Sequence, residues 1–176
     1  MLFRSIVERA RSAIGHGTLY RLGAGAPASA PHPWDETGSC DCSGFICWVL
    51  GLTRFQSILS FLKPVNGGWL STDGMVCDSL NPTGYFEQVT GAPLHGDLVV
   101  YPSQWYAKQI YQADRPFGNA PRIGHVGIVS GPDRPDSVIH CSSGNFRTSS
   151  DAIQETDLHV FTSVSYFRYI RFCGAE

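Results

Sequence analysis

Cys42, His125 and His140 are the residues of this 176-residue chain whose types and settings combine into a nucleophilic site. A cysteine attacks a carbonyl carbon as its thiolate, and an ordinary thiol pKa of about 8.5 leaves little thiolate at neutral pH. A helix N-terminus favours the anion, because its unpaired N–H groups and the helix dipole present positive charge. The stretch from Cys42 predicts such a helix: Phe45, Ile46, Val49 and Leu50 recur as a buried stripe does. Asp41 and Ser43 are residues of the type that opens a helix. Ser43 and Gly44 are small and leave room for a substrate beside the thiol, and the first-turn N–H groups can face a developing oxyanion.

The thiol needs an imidazole to take its proton. His125 opens the apolar run Val126-Gly127-Ile128-Val129, a strand that would hold a base rigidly. The base in turn needs an acceptor for its second ring nitrogen. His140 lies in Ser137-Val138-Ile139-His140-Cys141, an adjoining strand reached through the turn Gly131-Pro132-Asp133. The two rings meet if both point to one face. Asp97 reads as a turn residue, and His16, His32, His95 and His159 as loop or surface residues. Two rival chemistries use the same cysteines. Zinc held by Cys40, Cys42 and Cys47 would need His140-Cys141 as its second pair, but those side chains point to opposite strand faces. A Cys40–Cys42 disulfide would block the nucleophile.

Positioning these residues requires helices first and strands afterwards. A first amphipathic helix is expected over 1–15, ending at Gly15-His16-Gly17. A Gly/Ala/Pro-rich loop over 23–39 leads to the nucleophile helix, which ends or bends at Gly51; a further helix is expected over 53–62. Residues 63–92 read as irregular. Strands are expected at Asp97–Tyr101, His125–Val129, Ser137–Cys141 and Ser165–Phe172, with a shorter one at Leu158–Thr162. The 102–122 segment reads as a long insertion loop, with Trp105, Tyr106, Tyr111 and Phe117 as groove-lining or anchoring residues. This order predicts a single α+β domain over 1–176, with the nucleophile helix packed on an antiparallel sheet.

Bulk properties exclude several functions. The formal charge is −2 and no basic run occurs, which argues against nucleic acid as a partner. No stretch approaches the ~18 consecutive apolar residues of a membrane span. The first residues lack the apolar run of a signal peptide, being interrupted by Arg4, Glu8, Arg9 and Arg11, so a cytoplasmic location is the default expectation. The six cysteines are then expected as free thiols, with Cys47 and Cys173 buried.

Four segments in order, Asp41-Cys42-Ser43-Gly44-Phe45, Gly96-Asp97-Leu98-Val99, Gly124-His125-Val126-Gly127-Ile128 and Val138-Ile139-His140, resemble the NlpC-type peptidases. These are papain-like cysteine hydrolases of bacterial cell-wall peptides. Tyr20-Arg21-Leu22-Gly23-Ala24-Gly25 resembles the family's stretch before the nucleophile, and the likeness spans roughly residues 15 to 145. It implies a papain-like fold, with Cys42 as nucleophile, His125 as base and His140 as orienting residue. It implies a peptidoglycan stem peptide or muropeptide as substrate, cut between D-glutamate and a diamino acid. It also places Tyr20 and Asp41 beside the nucleophile, at positions that in some relatives bind the stem peptide's amine. No metal or organic cofactor is required. The loops at 26–40 and 102–122 are longer than the family pattern and would border the site. A small unsignalled member resembles antibacterial amidase effectors and phage enzymes as much as housekeeping hydrolases, reaching the wall after non-classical export or lysis. An inhibitor or immunity protein is then a candidate partner. A deamidase, an acyltransferase and an inactive peptide-binding module on the same scaffold are the alternatives.

Overall fold

A computed structural model of the chain describes residues 2–56, 60–111, 123–131 and 136–174, with side chains from Ser5 onward. The N-terminal helix α1 (Leu2–Arg11) buries Ile6, Val7 and Ala10 and packs on α2 (Cys42–Leu50). It ends at Arg11, four residues short of the expected boundary, and continues as turns. Two short strands, β1 (Leu19–Tyr20) and β2 (Ser39–Cys40), pair in parallel and hold Tyr20 beside the start of α2. Asp41 caps α2, its carboxylate accepting the Gly44 N–H at 2.6 Å. Gly51 ends the helix in the left-handed region (φ 72°), where glycine carries no Cβ penalty, and its N–H meets the last-turn carbonyls.

The second half builds a six-stranded sheet from β3 (Phe86–Gln88), β4 (Leu98–Tyr101), β5 (His125–Val129), β6 (Ser137–Cys141), β7 (Ile153–Asp157) and β8 (Arg168–Phe172). Their spatial order is β3-β8-β4-β5-β6-β7, and every pairing is antiparallel. Strand side chains alternate between faces. Val126, Ile128, Ile139 and Cys141 therefore join Phe45, Ile46 and Val49 of α2 in one core. Phe45 and Ile46 are fully buried, and each contributes about 1.5–3 kcal/mol of transfer free energy. Val129 and Val138 face the other way, into a second cluster with Tyr101 and Phe161. His125 and His140 share that second face by the same alternation.

Several expectations are corrected. Residues 158–162 hold a short helix, α6 (His159–Thr162), not a strand. The Asp157 carboxylate accepts the His159 N–H at 2.6 Å, and Leu158 and Phe161, three apart, both turn into the core. No helix forms over 53–56, because Leu70 donates to the Arg54 carbonyl and Gln56 donates to the Gly68 carbonyl. Ser60–Leu62 is a single 3-10 turn, and 57–59 lie outside the described residues. The segment read as irregular contains α3 (Thr72–Ser79), capped by Ser71, as well as β3. The insertion opens with α4 (Gln104–Ile110), capped by Ser103, while 112–122 lie outside the described residues, as does most of the β5–β6 turn. The last strand starts at Arg168 rather than Ser165, and α5 (Ser143–Ser149) and β7 were not anticipated. Cys173 is exposed just past β8, whereas Cys47 is buried as expected.

Asp97 does more than turn the chain. It accepts the Leu94 N–H at 2.7 Å and takes a bidentate pair from Arg171 at 2.8 and 2.9 Å. That pair fastens the entry of β4 to β8 and lies outside the candidate site.

Candidate functional site

Cys42 is the first residue of α2, and its sulfur receives hydrogen bonds from the backbone N–H groups of Ser43 and Val126. The second contact has a topological cause. The β5–β6 register runs Ile128–Ile139 and Val129–Val138, so that ladder has ended before Val126. The helix N-terminus seats its thiol where the strands part, one residue from His125. Tyr20 lies near the thiol, close enough for the two groups to feel one another electrostatically.

His125 Nε2 lies 2.7 Å from His140 Nδ1, and His140 Nε2 lies 2.8 Å from Thr156 Oγ1 on β7. Phe161 stacks flat on the His125 ring, with centroids 4.9 Å apart and planes 8° from parallel. Gly127 makes this possible. A methyl group there would meet Val138 Cγ2 at 2.5 Å and His140 Cβ at 3.0 Å, pushing the histidine pair apart. Tyr20, Tyr101, His125 and His140 open on one cleft of about 280 Å³, with Ser142 and Ser143 on its wall.

Asp41 and Ser43 sit behind the thiol. Asp41 is buried, and its carboxylate accepts four bonds, from Gly23 N–H, Ser43 Oγ, Gly44 N–H and Arg54 Nη2. Arg54 also donates to Ser43 Oγ at 2.9 Å and to the Ala24 carbonyl at 2.8 Å. This network clamps the start of α2 to the residues before it. Gly44 fits under it because a methyl there would meet the Ala24 carbonyl oxygen at 2.6 Å.

Burial pushes the Cys42 thiol up to about 12, and the Asp41 carboxylate adds to that; the Val126 and Ser43 N–H groups and Arg54 act in the opposite sense. Burial lowers His125 to about 3, with His140 contributing, and lowers His140 to about 4. The resting pair is therefore neutral thiol and neutral imidazole. Desolvation outweighs the N–H groups at the helix start that sequence reasoning relied on.

The structure thus brings Tyr20, His125 and His140 onto one cleft, sets Cys42 at the start of α2 against Val126, the neighbour of His125, and engages Asp41 and Ser43 in internal bonds. Sequence reasoning missed Thr156, Phe161 and Arg54. Cys40 and Cys42 are free thiols, and Cys40 Sγ donates to the Asp41 carbonyl instead. No cluster of three or more His, Cys, Asp or Glu able to hold a metal occurs among the described residues. No helix among them is long and apolar enough to cross a membrane.

No protein-family model matches the chain, and no curated protein matches it. Among solved structures, NlpC2 from Trichomonas vaginalis aligns with a TM-score of 0.52 and 15% identity, over 97% of this chain and 46% of that one. NlpC1 from the same organism aligns with a TM-score of 0.48 and 16% identity, over 89% of this chain and 39% of that one. The chain spans less than half the length of either. Its fold is α+β and NlpC-like, a papain-like arrangement with helix α2 on an antiparallel sheet.

Proposed function

We propose that this protein is a cysteine hydrolase of cell-wall peptides, with Cys42 as nucleophile, His125 as base and His140 as the residue that orients it. The observation that carries this reading is one cleft shared by Tyr20 and the hydrogen-bonded His125–His140 pair, with Cys42 at the start of α2 against Val126, the residue next to His125. Because thiol and imidazole rest neutral, attack and proton transfer occur together. The Cys42 sulfur bonds to the amide carbon as its proton passes to His125 Nδ1. The imidazolium then protonates the departing amine, and a water deprotonated by the same ring releases the acyl group from sulfur. The preferred substrate is a peptidoglycan stem peptide, cut between D-glutamate and the diamino acid. The four-segment resemblance and the NlpC-like fold support that choice.

Incubation with purified muropeptides, followed by mass spectrometry of the fragments, tests the reading and locates the bond. A pair of fragments that sums to substrate plus water is expected. Ammonia without chain cleavage would make the protein a deamidase, and a transferred acyl group an acyltransferase. Binding without any product would make it an inactive peptide-binding module.

A further inference from the structure

Residues 21–37, in the loop that leads to α2, form a second pocket that shares no lining residue with the cleft beside His125. Its volume is about 520 Å³, within the range of small-molecule sites. The apolar part of its lining is Ala26, Pro27 and Ala30 together with the rings of His32 and Trp34. Those two rings lie flat on one another, with centroids 4.4 Å apart and planes 2° from parallel. The polar part is Arg21, Asp35, Glu36 and Thr37.

The loop is held in this shape by the protein itself. Arg9 donates to the Ala28 carbonyl at 3.1 Å, Trp48 Nε1 donates to the Ala30 carbonyl at 2.8 Å, and the Arg9 guanidinium lies 4.3 Å over the Trp48 ring. Within the loop, Ala26 N–H donates to the Pro33 carbonyl and Ala30 N–H to the Pro27 carbonyl. Asp35 ties down the far end, accepting the N–H and hydroxyl of Thr37 and the N–H of Ser39. A pocket shaped in advance loses little freedom when a ligand enters.

The polar groups offer both senses of hydrogen bond. Arg21 is exposed and has five N–H groups, of which Asp35 takes one at 2.6 Å. His32 Nδ1 lies 3.2 Å from the Trp34 carbonyl, which only accepts, so the hydrogen of the neutral ring is on Nδ1 and Nε2 is an acceptor. The exposed Glu36 carboxylate is a second acceptor. A pyranose matches such a lining: its C–H faces suit the aromatic and alanine wall, and its hydroxyls both donate and accept. An acetamido group adds a methyl for the apolar wall and an amide for the polar groups.

We propose that this pocket is a carbohydrate subsite that takes an N-acetylated hexosamine. The choice of sugar rests on the cell-wall reading above, since the glycan that carries the stem peptides is built from such residues. The loop over 26–40 then holds the protein on the glycan, while the chemistry takes place in the separate cleft.

The test is calorimetric titration of the full chain with N,N′-diacetylchitobiose, and with cellobiose, which has the same linkage and no acetamido groups. Saturable binding of the first is expected, with cellobiose weaker by about tenfold or more. Glu36→Ala removes an exposed acceptor and is expected to weaken binding by about fivefold, the worth of one hydrogen bond. Ala30→Trp fills the pocket and is expected to abolish binding. No saturable binding by the parent, equal binding of the two disaccharides, or binding that neither variant weakens overturns the proposal. Sugar-free stem peptides separate the two readings. Cleavage of such a peptide by a protein that binds no sugar overturns the subsite alone. Sugar binding without cleavage of any stem peptide overturns the peptidase reading and leaves the subsite standing.

Discussion

His125 and His140 are joined by a 2.7 Å bond between Nε2 of the first ring and Nδ1 of the second. The role of base selects the tautomers along this bond. If His125 Nδ1 is to accept the thiol proton, its own hydrogen is on Nε2 and is donated to His140. The hydrogen of His140 is then on its Nε2 and is donated to Thr156 Oγ1, 2.8 Å away. One hydrogen per ring satisfies the whole chain of bonds. His140→Ala removes the acceptor and is expected to lower kcat by about 10²–10⁴-fold, the range seen when a base loses its orienting partner. Thr156→Val removes only the far end and is expected to cost less than His140→Ala. Steady-state kinetics on a muropeptide compares the two.

Phe161 sets the plane of the base. Its ring lies parallel to His125 and is fully buried. Phe161→Leu keeps most of the apolar volume and removes the flat surface. The expected result is a fall in kcat of about tenfold with KM nearly unchanged, since reacting groups displaced by a fraction of an ångström lose rate before affinity. An equal loss in both would assign Phe161 to substrate binding.

Arg54 is the only cation paired with the buried Asp41 carboxylate among the described residues. Arg54→Ala leaves that charge without its partner, which costs about 3 kcal/mol. For a chain of this length the Tm is expected to fall by roughly 6–12 °C, read by calorimetry. Arg54→Ala with Asp41→Asn removes the stranded charge and should recover part of the loss.

Acid destabilises the fold through its imidazoles. Unfolded, a histidine binds its proton below about pH 6.5; folded, His125 binds it only near 3 and His140 near 4, both held down chiefly by burial. Between those limits the unfolded chain holds more protons, so stability rises with pH through the window and is complete above about 6.5. Carboxylates titrate in the same range, so the informative quantity is a difference. The Tm of His140→Gln is expected to fall less steeply than that of the parent from pH 6.5 to 4; parallel curves would contradict the buried neutral ring.

The parts of the site legible in the sequence are those whose signals are local. Asp41 before an apolar helical stripe marks the cap and the thiol at once. His125 and His140 each head or close an apolar run, and a single turn joins the two runs. Thr156, Phe161 and Arg54 gave no such signal, because each acts on the site from a separate segment. Asp97 was half legible: its bond to the Leu94 N–H is a turn feature, but its pairing with Arg171 spans 74 residues. The stretch 158–162 was misread because a short apolar run does not distinguish strand from helix by periodicity, and the Asp157 cap and the burial of Phe161 decided it. The resting protonation of Cys42 was also illegible, since it depends on how deeply the packed sheet buries the helix start.

The most direct test of the account compares the parent with Cys42→Ala on purified muropeptides, both shown to be folded by their Tm, with fragments followed by mass spectrometry over time. The account predicts paired fragments of substrate plus water from the parent and none above background from the variant. Equal fragmentation by the two proteins would contradict Cys42 as the nucleophile.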